Sequence, residues 1–433
     1  MTEIVPFRGV RYSRDASGNL AEVLCPPYDI ISEEQQKQYY ARSPYNAIRL
    51  EYPLDVVGGL DSESKYVRAA RDFRGWLEEG ILVPDAEPSF YVHDQHFVYR
   101  GHSFRRRGLV ARVRLRAWYD GVYPHEETFA KAKQDRLQLM RACRANFSPL
   151  LALYQDPDRE VAAILSQTAQ ADPLLEAQVA TEAHEVWALR EPDQVQRVGA
   201  LLAGQPLYIA DGHHRYETAL AYREERCGEG GPSGRSSVDS GVDYTMMTLV
   251  AFSDPGLVIY PVHRLVRGMA SSELERLDAV IGESFSLEYV PIGEVLAAGQ
   301  GEMLRDAAIG VVGLTPGQIA LLRLREDVML DEVMPGDRSR SYRTFEVSLL
   351  NHLILGRTSS PADGPVAIAY TPDAGEVCTR VADGSHQLGF LLRSPQPETV
   401  KAFADAKDRM PRKSTYFHPK PPAGLVINSL DPV

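Results

Sequence analysis

PLYIADGHHRYETAL, residues 206–220, decides how this chain is read. Pro206 to Ala210 forms a short apolar run with the character of a buried strand. Asp211-Gly212 is a turn signal. From Tyr216 to Arg226 the pattern is helical, with Tyr216, Ala219 and Leu220 on one face. A strand that turns directly into a helix leaves free backbone amides at the helix start, and these favour an anion. Gly212 lets the backbone approach a ligand closely. Arg215 offers a planar donor fork suited to phosphate, and Asp211 can orient a metal or a hydroxyl. The plain alternative is a strand-turn-helix in which Asp211 is only an N-cap. Two histidines and an arginine in one turn weigh against it, so His213, His214 and Arg215 are read as site residues.

Other stretches carry related chemistry. In Pro124-His125-Glu126-Glu127-Thr128 a carboxylate beside a turn suits a general base acting on a hydroxyl, although both glutamates also fit the first turn of a following helix. Met410 to Lys420, MPRKSTYFHPK, brings Lys413, Ser414 and Thr415 together as donors for a phosphate or carboxylate. It is too polar and proline-rich to be a core element, yet Tyr416, Phe417 and the following Gly424-Leu425-Val426-Ile427 indicate order. Pro261-Val262-His263-Arg264 puts another His-Arg pair at a strand end. His93, His96 and His102 lack the cysteine or carboxylate pattern of a metal site and read as surface or hairpin histidines. The pair His213 and Glu217 is too common a spacing to indicate zinc. No P-loop run and no dinucleotide fingerprint occurs.

The 433 residues allow two or three packed units. Three regions are expected: 1–103, 104–266 and 267–433. The first holds Cys25-Pro26-Pro27-Tyr28-Asp29, a helix over Tyr66 to Glu79, and a hairpin or meander that begins at Phe90 and runs to Leu115. The second adds a basic helix over Lys131 to Asn146 and strands over Tyr244 to Phe252 and Leu257 to Val262. Its segment 227–243, rich in Gly and Ser, reads as a mobile loop. In the third, residues 410–427 are expected to return to the active site. A net charge of −12 argues against nucleic acid as a partner. The run Phe104-Arg105-Arg106-Arg107 reads as a solvated face. Four cysteines without CxxC spacing exclude a disulfide framework. The absence of a long apolar run excludes a membrane span and, with no export signal, points to the cytoplasm. Oligomeric state is not readable.

Taken together, PPYDII, PHEET, ANFSPLLALY, YIADGHHRYETA, PVHR and MPRKSTYFHPKP resemble a bacterial and archaeal family catalogued as a domain of unknown function. Within that likeness, the central region resembles the ParB/sulfiredoxin superfold, and most of all its free-serine kinases. Those carry a Pro-His-Glu turn, a strand followed by Asp-Gly-His-His-Arg, and a late Lys-Thr-Thr, in the order found here. The resemblance implies an α+β fold with a ParB/sulfiredoxin-like core over 104–266. It implies a phosphotransferase interconverting L-serine and O-phosphoserine with ATP or ADP, in either direction. The reverse direction would be a phosphoserine-consuming step. Glu126 (or Glu127) is implied as base, and Asp211 and His213 as catalytic. Gly212, His214, Arg215, His263 and Arg264 are implied at the nucleotide phosphates, and Lys413, Ser414 and Thr415 at the amino acid. Mg²⁺ would be carried mainly by the nucleotide, with Asp211 as the one protein group offered to it. Sulfiredoxin chemistry is excluded because His213 stands where a nucleophilic cysteine is required. A nucleotide-binding regulatory module and a phosphatase or nucleotidase using water stay open as alternatives.

Overall fold

The computed structural model describes residues 2–14, 18–55, 64–229, 241–298, 304, 307–358 and 366–432. Residues 230–240 of the segment read as a mobile loop lie outside the described residues. The protein is mixed α+β. Its contacts divide it into two compact units: Met1–Pro124, Thr128–Val258 and Pro419–Val433 in unit 1, and His125–Glu127 and Ile259–His418 in unit 2.

Unit 1 is built on a nine-stranded sheet. Its strands are β1 (Ile4–Val5), β2 (Phe90–Tyr99), β3 (His102–Arg114), β4 (Val122–Tyr123), β5 (Leu150–Tyr154), β6 (Leu175–Val179), β7 (Glu182–Leu189), β8 (Leu207–Asp211) and β9 (Tyr244–Ala251). The order is β4-β8-β5-β9-β3-β2-β7-β6, with β1 on β3. β8 runs parallel to β4, and β5 parallel to β9; the other pairs are antiparallel. The sheet is covered on both faces. Leu109, Ala111 and Val113 enter one apolar cluster while Val110 enters another, as the two-residue period of a strand dictates. Double burial accounts for the unbroken apolar run of β5 and for the burial of every residue of β9. β2 and β3 are joined by Arg100-Gly101, at φ of 50° and 77°. Two left-handed residues in a two-residue connection match the twist of the flanking strands.

Three helices of unit 1 bear on the site: α1 (Lys65–Glu78), α2 (Ala130–Cys143) and α3 (His213–Glu229). α1 starts where the Ser64 side chain accepts from Val67 N–H, and it buries Phe73 and Trp76. α2 stops at Arg144, which adopts φ of 50°. α3 packs Tyr216, Ala219 and Tyr222 into one of the sheet's clusters.

Two expectations are corrected here. The arginine run is not a solvated face. Strand alternation turns Arg106 inward, where it donates to Gln95 Oε1 at 2.5 Å and to the Pro419 carbonyl. Arg107 makes two bonds to Asp94. Nor is Met410–Lys420 too polar for the core: Met410, Ser414 and Phe417 are buried, and in the stretch that follows so are Ala423, Leu425, Val426 and Ile427, as its expected order implied. Its backbone is satisfied by distant partners rather than by a helix or broad sheet. Ile427 and Val10 exchange N–H···O bonds, Ala423 N–H donates to Cys25, and Gly424 N–H donates to Phe147.

Unit 2 holds an antiparallel six-stranded sheet of β10 (His263–Arg267), β11 (Phe285–Pro291), β12 (Ile309–Val312), β13 (Gln318–Leu324), β14 (Ala367–Thr371) and β15 (Leu388–Leu391). The order is β11-β13-β12-β15-β10-β14. Leu265, Ile319, Leu321, Val377 and Leu391 form a core against one helix, Ala374–Ala382. Among the described residues no helix is long and apolar enough to cross a membrane.

Candidate functional site

In unit 1 the strand-turn-helix carries a dense charge arrangement. β8 ends at Asp211, Gly212 turns at φ of 95°, and α3 begins at His213. A Cβ on Gly212 would lie 3.1 Å from Arg215 Nη2 and from Leu150 Cγ, so the glycine is needed for space as well as for conformation. Arg215 donates to Asp211 Oδ2 at 2.7 Å, and to Ser148 Oγ and the Pro149 carbonyl at 2.8 Å each. Lys420 donates to Asp211 Oδ1 at 2.5 Å and also to Asp29. Ser148 Oγ in turn donates to Glu51 Oε1 at 2.9 Å. The Arg136 guanidinium lies 4.1 Å over the Tyr28 ring and donates to the Glu51 carbonyl at 2.5 Å.

These charges are buried, and each depends on its partners. Burial pushes the Glu51 carboxyl up, against the pull of Arg136 and Arg215. Burial works against the charge on Arg215, and Asp211, Asp29 and Glu51 more than offset it, so its pKa is raised. Lys420 behaves likewise: burial lowers its pKa, and Asp211 and Asp29 raise it further than burial lowers it. Both Asp211 oxygens therefore face cations, which makes this carboxylate a poor ligand for Mg²⁺. A cavity of about 40 Å³ lined by Glu51, Arg136, Ser148 and Arg215 has room for about one water.

The two histidines of the turn differ. His213 is buried, with its ring 6.4 Å from that of Trp118. His214 Nε2 accepts from Phe129 N–H at 3.0 Å, and the two rings stack. One turn on, Glu217 accepts from Trp118 Nε1 at 3.1 Å, Thr128 Oγ1 at 2.5 Å and Lys133 Nζ at 2.8 Å. Burial raises its pKa, but these donors outweigh burial and leave it low.

Unit 2 brings a second set together. His125 is buried, and its Nε2 lies 3.0 Å from Thr415 Oγ1. The Thr415 hydroxyl also donates to Glu126 Oε1 at 3.5 Å. Met410 N–H donates to the His125 carbonyl at 2.8 Å, tying the Pro-His-Glu turn to the late run. Glu126 is half-buried, whereas Glu127 is exposed. Lys413 is exposed at φ of 54°. Ser414 is buried and its hydroxyl donates to the Pro411 carbonyl. Arg264 holds the turn from below, donating to the Lys413 carbonyl at 2.9 Å, the Arg412 carbonyl at 3.2 Å and the Val262 carbonyl. Burial lowers its pKa to about 10. His263 Nδ1 accepts from Leu392 N–H at 3.1 Å. In this arrangement Arg264 and His263 bond to backbone.

A model of the family described as "Protein of unknown function (DUF1015)" matches residues 4–347. The chain belongs to this family. Its structure is similar to that of a mutant free serine kinase in complex with AMP, with a TM-score of 0.35 and 14% identity over 70% of this chain and 88% of that one. It is also similar to a conserved hypothetical protein from Pyrococcus furiosus, with a TM-score of 0.32 and 14% identity over 70% and 90% of the two chains. A third similar structure is C-terminally truncated SbnI from Staphylococcus aureus, with a TM-score of 0.35 and 9% identity over 72% and 84%. Among curated proteins none matches.

In this DUF1015 chain several site residues escaped the sequence reading. Asp29, Glu51, Ser148 and Lys420 meet the Asp211 turn or its arginine, yet no fixed spacing links them. Three of them do sit inside stretches that carried the family likeness: PPYDII, ANFSPLLALY and MPRKSTYFHPKP. The three histidines read as surface or hairpin residues all lie on the β2–β3 hairpin, and two of them are partnered. His93 is buried with Nε2 3.1 Å from His184 Nδ1, and His96 Nε2 lies 2.9 Å from Glu185 Oε2. Asp94, His96 and Glu185 present ligand atoms within 4.8 Å of one another. Asp94 is already held by both bonds from Arg107.

Proposed function

We propose that this protein is a phosphotransferase that moves a phosphoryl group between a nucleotide and the hydroxyl of serine. The observation that carries the reading is the cluster of His125, Glu126 and Thr415. It joins a Pro-His-Glu turn to a Lys-Ser-Thr run 290 residues later, by side-chain bonds rather than by sequence spacing. A carboxylate held by a threonine hydroxyl that is itself bonded to a histidine suits a base acting on an alcohol. Glu126 fits that role better than Glu127, which faces solvent. Lys413 is free on its exposed side to meet a substrate carboxylate or phosphate, and Thr415 orients the base. Ser414 supports the turn from inside.

The Asp211 turn is assigned the phosphates. Arg215, Lys420 and the amides at the start of α3 supply positive potential there, and His213 and His214 flank it. Asp211 acts as the anchor of those cations. In the forward direction Glu126 accepts the hydroxyl proton as the serine oxygen bonds to the terminal phosphorus. The bond from that phosphorus to the bridging oxygen breaks, and the diphosphate leaves. Positioning and electrostatics account for most of such a reaction. Mg²⁺ enters with the nucleotide, and no step here runs through a protein-bound ion.

The test follows phosphorus by NMR with ATP, Mg²⁺ and L-serine, and in the reverse sense with ADP and O-phosphoserine. Interconversion is expected in wild type. Glu126→Gln is expected to lower turnover by about two or more orders of magnitude with nucleotide affinity unchanged. Nucleotide binding without interconversion would favour the regulatory module, and release of free phosphate without an alcohol would favour a phosphatase.

A further inference from the structure

A groove of about 610 Å³ runs between α2 and α3 in unit 1, within the range of small-ligand sites. Its floor is apolar, formed by Leu137, Leu220 and Ala221, and Trp118 closes the end nearest the start of α3. Along one wall Gln134 and Gln138 stand one helical turn apart. Neither side-chain amide makes a hydrogen bond among the described residues. Of the charged groups at the rim, Lys133 is matched with Glu217, and Arg141 with Glu225 through two bonds. Among the groove's polar side chains, Gln134, Gln138 and the Glu224 carboxylate are the ones without a hydrogen bond or ion pair among the described residues.

We infer that this groove takes the adenine base of the nucleotide, with Gln134 and Gln138 reading its edge. The inference rests on the phosphotransferase reading and names where the base lies. A carboxamide presents one donor beside one acceptor, the complement of the adenine N6 and N7 edge. An apolar floor of Leu137, Leu220 and Ala221 suits the faces of the ring. The reach also fits. Glu217 lies about 6 Å along α3 from His213, and Glu224 about 16 Å, at 1.5 Å per residue. A nucleotide whose phosphates meet the start of α3 thus reaches the groove without leaving the helix.

The experiment titrates the full chain with ATP and, separately, with inorganic tripolyphosphate, by calorimetry and tryptophan fluorescence. Trp76 and Trp187 are buried, so quenching reports Trp118, which is half-buried. ATP is expected to bind more tightly than tripolyphosphate and to quench; tripolyphosphate is not expected to quench. The double variant Gln134→Leu/Gln138→Leu is expected to weaken ATP at least about ten-fold and to leave tripolyphosphate affinity unchanged, which also shows that it is folded. Trp118→Phe is expected to abolish the quench while still binding ATP. Unchanged ATP affinity in the double variant overturns the groove assignment and leaves the phosphate turn standing. Equal affinity of wild type for ATP and tripolyphosphate does the same. Failure of wild type to bind either ligand overturns both readings.

Discussion

Lys420→Met probes the charge arrangement around Asp211. The ammonium sits between Asp29 and Asp211, and its side chain is only 8% exposed. Removing one partner of a buried pair costs about 3–5 kcal/mol, because the remaining charge stays desolvated. Two features place this site at the lower end. Arg215 still holds Asp211 Oδ2 at 2.7 Å, and the Asp29 side chain is 34% exposed, so water takes over part of its solvation. The expected loss is about 3 kcal/mol, read from urea unfolding followed by tryptophan fluorescence. Trp76, Trp118 and Trp187 all lie in unit 1, so the signal reports the unit that holds Lys420. The effect also has a pH signature. The folded pKa of Lys420 is raised, since Asp211 and Asp29 outweigh burial. A raised lysine stabilises fully below its unfolded value of about 10.4 and ceases to do so as pH rises through the folded value. Wild type and variant should therefore differ most near neutral pH and converge above about pH 10.4. A loss under about 1 kcal/mol at pH 8, or a gap that persists undiminished to high pH, refutes the reasoning.

Gly212→Ala is expected to destabilise by about 1–2 kcal/mol, the cost of a left-handed non-glycine residue. It should also weaken ATP several-fold, because the new Cβ presses on Arg215; calorimetry and urea unfolding measure the two effects, and wild-type affinity would contradict the assigned turn. The buried pair His93 and His184 predicts acid lability. Burial, then Arg106, pushes His184 down to about 3, and burial with His184 and Arg106 holds His93 well below its usual value. Below pH 6.5 the unfolded chain binds the protons that the folded pair refuses, so stability falls as pH drops from 6.5 toward 3. At pH 5 the loss is about 2 kcal/mol per histidine, and a flat unfolding profile between pH 7 and pH 5 rules it out. Thr415→Val should lower kcat more than it raises the KM for serine, with ATP affinity unchanged, because Thr415 holds Glu126; a rise in KM with kcat unchanged would contradict that role.

What was legible in the sequence follows the range of the forces involved. Local patterns placed the helix at Lys65–Glu78, the β2–β3 hairpin and the β8-to-α3 turn within a few residues, because hydrophobic period and turn chemistry are local. The burial of Arg106 was not legible. A run of three arginines looks solvated until the Pro419 carbonyl covers the middle one from a position 313 residues later. The same holds for Lys420. As sequence it belongs to a polar, proline-rich tail, and only the folded chain puts its ammonium against Asp29 and Asp211. Ser414 and Lys413 look equivalent in the motif. Their backbone makes them different: φ of 54° leaves the lysine exposed, while the serine hydroxyl turns inward to Pro411.

The arrangement at Asp211 constrains the chemistry further than its motif does. An aspartate that ends a strand beside the start of a helix invites two roles, base or metal ligand. Either needs a free oxygen. Here one oxygen accepts from Arg215 and the other from Lys420. With both oxygens already accepting from cations, this carboxylate is badly placed to take the proton of an alcohol. In the reaction proposed above its contribution would be electrostatic: it would keep two cations in place before a phosphate arrives, which lowers the reorganisation needed when charge builds on the transferring group. Asp211→Asn separates these roles. It preserves shape and keeps an acceptor for one cation, but removes the charge that anchors both. If Asp211 anchors cations, the variant should lose phosphate affinity, and its remaining turnover should keep the wild-type dependence on pH. If Asp211 is the base, affinity should survive and the acid limb of the pH profile, where a base must lose its proton, should vanish.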